Sequence, residues 1–226
     1  KNLAQYRNDA GTGNVLRSSH PAVRKMILDS LRFWVQEMHV DGFRFDLASI
    51  FTRNDDGTIN TNDPPIIAEI SSDPVFANTR LIAEAWDLTS YQLGRSFPGL
   101  TWAQWNGQFR DDVRSFVKSD NGTAAKLMTR LYGSDDLFPD RPEDAYHPYQ
   151  SINFITAHDG FCLYDLVAYN NKRNTANGQN NRDGSDDNRS WNCGWEGDEN
   201  VPPQVLALRK RQIKNFCTLL FLSNGT

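Results

Sequence analysis

Three acidic residues close three separate predicted strands, and their surroundings differ. Asp46 lies in the stretch GFRFDLA two residues after Arg44, so in a strand both side chains point the same way. The neighbouring guanidinium would then hold the Asp46 carboxylate ionised. Glu84 lies in IAEAW, among apolar neighbours and with no adjacent cation, so burial should raise its pKa. A retaining glycosidase needs one ionised carboxylate as its nucleophile and one protonated carboxyl as its general acid.

The third acid, Asp159, follows His158, and both could grip the hydroxyls of a distorted sugar ring. Three other interpretations remain open at this point. Arg44 and Asp46 could be a purely structural ion pair, and the three acids could close their strands by coincidence. A divalent-metal triad is the third alternative, although the Trp and Arg neighbours favour a sugar over a metal.

The elements that must position these acids alternate between helix and strand. After a polar loop over residues 1–20, the periodicity predicts helices at 21–39, 65–76, 111–131, 163–169 and 205–215. It predicts strands at 43–48, 81–86, 102–109, 151–157 and 216–222. Alternation of this kind favours a parallel sheet with helical crossovers.

We expect an α/β fold, the later portion of a (β/α)8 TIM barrel from about strand 4 to strand 8. In such a barrel the carboxyl ends of all strands face one rim, so distant acids can converge there. A doubly wound open sheet is the structural alternative, but no Gly-rich phosphate loop follows a predicted strand. Trp86, two residues past Glu84, should share its side of the strand and line the cleft, although a structural role is equally compatible.

Composition narrows the class of partner. The formal net charge is −4 and the longest basic run is the triplet at 209–211, which disfavours nucleic acid. The longest apolar run is far shorter than a membrane span, so we expect no membrane. The 6 Trp, 7 Tyr and 13 Phe exceed what one core needs, and many lie beside amides and carboxylates, as suits sugar stacking.

No metal or cofactor is expected, because the three cysteines (Cys162, Cys193 and Cys217) lack metal-ligand spacing. Residues 170–200 are rich in Asn, Asp, Gly and Arg, and we interpret them as a wall of a binding groove. A disordered loop is the alternative. The chain starts at Lys1 and ends at Thr226 after an apolar run, so both ends look cut. We therefore expect residues 1–226 to be a partial catalytic domain, without its upstream strands and flanking domains.

Three ordered motifs, GFRFDLA, LIAEAWD and FITAHDG, resemble the successive conserved regions of the α-amylase family of glycoside hydrolases. The stretches NDAGTGN, WNGQFRDDVRSF and YNNKRNTANGQNNRDGSDDNRSWNCGWEG resemble the isoamylase-type debranching enzymes in particular. This resemblance implies that Asp46 is the nucleophile, Glu84 the general acid/base and Asp159 the transition-state stabiliser. It also implies that Arg44 positions Asp46, and that His158 binds the sugar at the point of cleavage.

The implied reaction is hydrolysis of α-1,6 branch linkages in amylopectin or glycogen, in a plastid or a bacterial cytoplasm. The full-length protein could form an oligomer. The alternatives are a non-catalytic glucan-binding subunit and another activity of the same family, such as branching or trehalose release. Because the family's earlier strand motif with an Asp and a His is missing, we expect the isolated chain to be inactive or poorly folded.

Overall fold

Four short strands form one parallel sheet within residues 6–226, the part of the chain that the computed structural model describes. The strands are β1 (Gly42–Phe45), β2 (Arg80–Ala83), β3 (Ala103–Trp105) and β4 (Ser151–Ile152), and they lie in the order β1-β2-β3-β4. Each neighbouring pair is parallel. The predicted parallel α/β class is therefore confirmed. Residues 1–5, the start of the predicted N-terminal loop, lie outside the described part.

Six α-helices accompany the strands in this described range. They are α1 (Pro21–Gln36), α2 (Pro65–Ser72), α3 (Gly107–Val117), α4 (Ala124–Leu131), α5 (Asp165–Ala168) and α6 (Pro203–Leu222). Three of them begin with proline, whose fixed φ suits a first helical turn and whose missing N–H is not needed there. Across residues 6–226, no helix combines the length and apolar content that would be needed to cross a bilayer.

The chain divides into two compact units. The first runs up to Trp105 and includes Leu137–Ile152, so it holds the whole sheet with α1 and α2. The second comprises Asn106–Asp136 and Asn153–Thr226, and it holds α3 to α6.

The core of the first unit lies between its sheet and its two helices. Ile66 and Ile70 on α2 are fully buried, and Ala83 on β2 is equally inaccessible. The Trp102 ring lies 4.7 Å from the Phe45 ring, between centroids, and is also fully buried. Burial of these side chains fixes the strands whose carboxyl ends carry the first two acids.

The core of the second unit is built by its helices. Phe109 and Val113 on α3, Leu166 on α5 and Phe216 on α6 belong to one buried cluster. Helix α3 begins directly after β3 because Asn106 caps it: the Asn106 Oδ1 accepts a hydrogen bond from the Phe109 N–H at 2.9 Å. The predicted strand over 102–109 is therefore wrong beyond Trp105.

Two other sequence predictions are wrong in extent or type. The strand predicted at 151–157 has ladder pairing only at Ser151–Ile152. The strand predicted at 216–222 is the last part of α6, which continues unbroken to Leu222. A short apolar run does not separate a strand from a buried helix, and no Gly or Pro interrupts residues 204–222. Phe216, Leu219 and Leu220 instead follow a helical stripe that packs into the core of the second unit.

Candidate active site

Asp46 and Glu84 lie side by side at the carboxyl edge of the sheet. Phe45 pairs with Ala83 in the β1–β2 register, and each acid is the next residue along its strand. The Glu84 N–H donates to the Phe45 carbonyl at 3.1 Å, so the parallel pairing continues one residue past the end of β2. Neighbouring parallel strands thus bring together two acids that are 38 positions apart.

Arg44 contacts both carboxyl groups. Its Nη1 donates to the Asp46 Oδ1 at 2.7 Å, and its Nη2 lies 2.9 Å from the Glu84 Oε1. The contact with Asp46 follows from the two-residue spacing along the strand. The expectation that Glu84 has no adjacent cation is wrong, because the neighbour comes from the adjacent strand rather than from the Glu84 segment.

The two acids differ sharply in exposure. The Glu84 side chain is only 6% exposed, whereas that of Asp46 is 71% exposed. Burial raises the pKa of Glu84, against the opposing influence of the Leu47 N–H and the Arg44 guanidinium. The Leu47 N–H donates to the Glu84 Oε2 at 2.8 Å from a left-handed backbone position with φ 43°. The site thus pairs a buried carboxyl, whose pKa is raised, with an exposed carboxyl group, and both contact the same cation.

An aromatic residue that the sequence interpretation missed completes this arrangement. The Arg44 guanidinium carbon lies 4.3 Å from the centre of the Trp105 ring, at the end of β3. The buried Arg44 Nε has no hydrogen-bond partner within residues 6–226, so the ring provides its main support on that side. Trp105 lies one residue past the Ala83–Gln104 pair and is therefore level with Glu84, a position that follows from the strand register and not from the sequence of one segment.

Trp86 does not continue β2, so the strand-alternation reason for placing it beside Glu84 is wrong. The strand ends at Ala83, and the Trp86 N–H donates back to the Glu84 carbonyl at 2.9 Å in a tight turn. The Trp86 ring stacks on Tyr91 with centroids 5.7 Å apart and an interplanar angle of 11°. Its contact with a sugar stays a prediction, now for a stacked pair in which Tyr91 is half exposed.

Asp159 and His158 belong to the second unit, in an irregular segment beyond β4. Both side chains are exposed, and the His158 Nε2 lies 3.6 Å from the Asp159 Oδ2. Their convergence with Asp46 and Glu84 remains a prediction. Within residues 6–226, no three His, Cys, Asp or Glu side chains are grouped as metal ligands, and the three cysteines are free thiols.

Solved structures display the same fold. The chain superposes over its full length on 28% of a type I pullulanase from Bacillus subtilis solved with maltose, with a TM-score of 0.64 at 22% identity. A pullulanase from Anoxybacillus solved with maltotriose matches 72% of this chain and 23% of its own, with a TM-score of 0.54 at 27% identity. The fold is that of a part of these pullulanases.

Curated sequences give the particular relationship. The chain is 49% identical over 224 residues to the rice protein named isoamylase 3, chloroplastic, covering 99% of this chain and 28% of that protein. It is 48% identical over 230 residues to the glycogen operon protein GlgX homolog of Mycobacterium tuberculosis, covering 99% of this chain and 30% of that protein. No protein-family model matches. The predicted resemblance is confirmed: this is an isoamylase-type sequence of the α-amylase family, and it spans about a third or less of its curated relatives.

Proposed function

We propose that this chain is a later part, from about strand 4 onward, of the (β/α)8 barrel of a retaining glycoside hydrolase that cleaves α-1,6 branch linkages in starch or glycogen. The observation that carries the proposal is the shared contact of Arg44 with an exposed Asp46 and a buried Glu84. A structural ion pair alone needs only one carboxylate. Two acids of opposite environment on one cation match the two tasks of a retaining mechanism.

In the proposed reaction the Asp46 carboxylate attacks the anomeric carbon of the branch glucose. Glu84, whose pKa is raised by burial, acts as the general acid and gives its proton to the departing glycosidic oxygen. Glu84 then takes a proton from water, which displaces Asp46 and restores the original anomeric configuration. In this proposal Asp159 stabilises the transition state and His158 binds the same sugar, while Arg44 keeps Asp46 oriented.

The proposed partner is a branched α-glucan such as amylopectin or glycogen. Relatives named chloroplastic isoamylase and glycogen operon protein support a plastid or a bacterial cytoplasm as the location. Three expectations stay predictions: that the protein binds no nucleic acid, that it binds no membrane, and that the full-length protein forms an oligomer. So does the role of residues 170–200 as a groove wall.

The test is hydrolysis of amylopectin and glycogen by the complete protein that contains this chain. Release of linear chains, with retained configuration at the new reducing end by NMR, is the expected result. Asp46→Asn should abolish release because the amide cannot form the glycosyl ester. Asp41→Asn, at an exposed acid just before β1, is the matched control and should leave the rate unchanged.

Four outcomes would contradict the proposal. Binding of glucan without any release would indicate a non-catalytic subunit, and new branches would indicate a transferase of the same family. Inverted configuration would remove Asp46 as a nucleophile. An Asp46→Asn variant as active as Asp41→Asn would show that the site has been assigned to the wrong residues.

A further inference from the structure

Arg114 on α3 is a buried cation that donates hydrogen bonds to main-chain carbonyl oxygens. Its Nε and Nη2 donate to the Ile155 carbonyl at 2.8 and 2.5 Å, and its Nη1 donates to the Asn188 carbonyl at 3.2 Å. Burial, assisted by nearby Arg110, lowers its pKa to about 10. Among residues 6–226 no carboxylate forms an ion pair with it. A buried charge is costly, so its position at these two carbonyls needs an explanation beyond packing.

Asn188 contacts the main chain on the other side of His158 and Asp159. Its Oδ1 accepts a hydrogen bond from the Phe161 N–H at 2.9 Å, and its Nδ2 donates to the Ser185 carbonyl at 2.6 Å. Only 2% of Asn188 is exposed. Arg114 therefore holds the segment before His158 and Asp159, Asn188 holds the segment after them, and Arg114 also holds Asn188.

Gly160 shows how closely Asn188 approaches this turn. A Cβ at position 160 would lie 2.6 Å from the Asn188 Oδ1, and the glycine has φ +75°. Both the contact and the backbone angle would make any larger residue strained at this position. The residue next to Asp159 is thus confined by Asn188, while the Asp159 side chain itself is exposed, with its Oδ2 3.6 Å from the His158 Nε2.

We propose that Arg114 and Asn188 are positioning residues that clamp residues 155–161 at both ends and so orient the Asp159 carboxylate toward the reacting sugar. This inference rests on the proposed function for its kinetic consequence, but not for the clamp itself. It also gives the 185–188 part of the long polar segment a specific task. The segment holds the turn through main-chain contacts, without needing to touch the glucan.

The experiment uses Asn188→Ala in the complete protein, with debranching kinetics on amylopectin. We expect kcat to fall about 10- to 100-fold with little change in KM, because a misplaced group costs transition-state stabilisation rather than binding. In an Asp159→Asn background the same substitution should cost almost nothing more. Gly160→Ala places a Cβ against the Asn188 Oδ1 and so disturbs the contact between Asn188 and the turn. Its loss of kcat should likewise disappear in an Asp159→Asn background.

Asn60→Ala is the matched control. The Asn60 side chain also accepts hydrogen bonds from main-chain N–H groups, those of Asn62 and Asp63, and donates to the Asp63 carbonyl. It should lower kcat no more than its loss of thermal stability explains. Hydrogen exchange supplies a readout independent of activity: the Phe161 amide should exchange faster in Asn188→Ala and not in Asn60→Ala.

Independent, multiplicative losses from Asn188→Ala and Asp159→Asn would overturn the positioning role. Unchanged exchange at Phe161 would overturn the clamp. If Asp46→Asn leaves hydrolysis intact while Phe161 exchange rises as expected, the clamp stands and the proposed function fails, so the two are separable.

Discussion

Replacing Arg44 by Gln tests whether one cation serves both acids. Gln keeps a hydrogen-bonding side chain but removes the charge that lies 2.7 Å from the Asp46 Oδ1 and 2.9 Å from the Glu84 Oε1. The stack on Trp105 loses its cation at the same time. Two effects should follow, one on the orientation of Asp46 and one on the proton of Glu84.

The effect on Glu84 has a definite sign. As the general acid it works protonated, so kcat/KM falls as the pH rises through its pKa. Arg44 favours the charged form of the Glu84 carboxyl. Its removal therefore moves the alkaline limb of the kcat/KM–pH profile to higher pH. An opposite charge at this range changes a carboxyl pKa by about 1–3 units. Because the Arg44 side chain is 24% exposed and partly screened, we expect a move of about one pH unit.

The assay is the pH dependence of kcat/KM for debranching by the complete protein. Arg44→Gln should also lower kcat by about 100-fold, because Asp46 loses its orienting contact. Arg44→Lys separates the two effects: it keeps the charge, so the limb should stay near its original pH. It supplies no planar fork for two carboxyls, so kcat should still fall.

Arg17→Gln, which breaks the exposed ion pair with Asp55, is the control and should change neither quantity. An alkaline limb that stays in place in Arg44→Gln would refute the assignment of Glu84 as the acid under the influence of Arg44. A shift of the same size in Arg17→Gln would show that the effect is a general change of net charge.

Two further predictions concern stability. The Asp87 side chain is fully buried; burial alone would raise its pKa, but Arg53 and the Thr89 N–H lower it overall. Asp87→Asn should lower the free energy of unfolding by about 3–5 kcal/mol at neutral pH. In urea titrations that loss should shrink as the pH falls from about 4 through the depressed pKa of Asp87, because a carboxyl whose pKa is lowered by folding stabilises fully above its unfolded pKa and progressively less below it. A pH-independent loss would contradict the ion-pair reasoning. Trp102→Ala should cost about 3–5 kcal/mol by urea unfolding, against about 0.5 kcal/mol or less for the half-exposed Trp34, and equal losses would contradict the assigned core.

The sequence predicted the two strands that lead into Asp46 and Glu84 because both rules involved are local. Each predicted strand nevertheless runs three residues past the observed end. Apolar runs of strand length end in an acid in each case, and the two-residue spacing places Arg44 beside Asp46. The parallel class also followed from alternation of elements. These features need no knowledge of which strand neighbours which.

What depended on register was out of reach. The Arg44–Glu84 contact and the Arg44–Trp105 stack join residues on different strands, and no spacing within one segment reports them. The strand predicted at 216–222 was wrong for a different reason. Seven apolar or near-apolar residues fit a buried strand and a helix end equally well. The prediction that Trp86 shares a strand face with Glu84 was wrong because a tight turn, rather than a strand, follows Glu84.

The unequal exposure of the two acids has one local origin, the turn that follows β1. Leu47 adopts a left-handed conformation, which aims its N–H at the Glu84 carboxyl, and the Ala48 N–H donates to the Glu84 carbonyl at 2.8 Å. Both ends of Glu84 are thereby held against the residues that follow Asp46. The same turn leaves the Asp46 side chain facing solvent. The stretch that supplies the proposed nucleophile therefore also provides the buried environment of the proposed acid, so substitutions at Leu47 should alter the chemistry of Glu84 rather than that of Asp46.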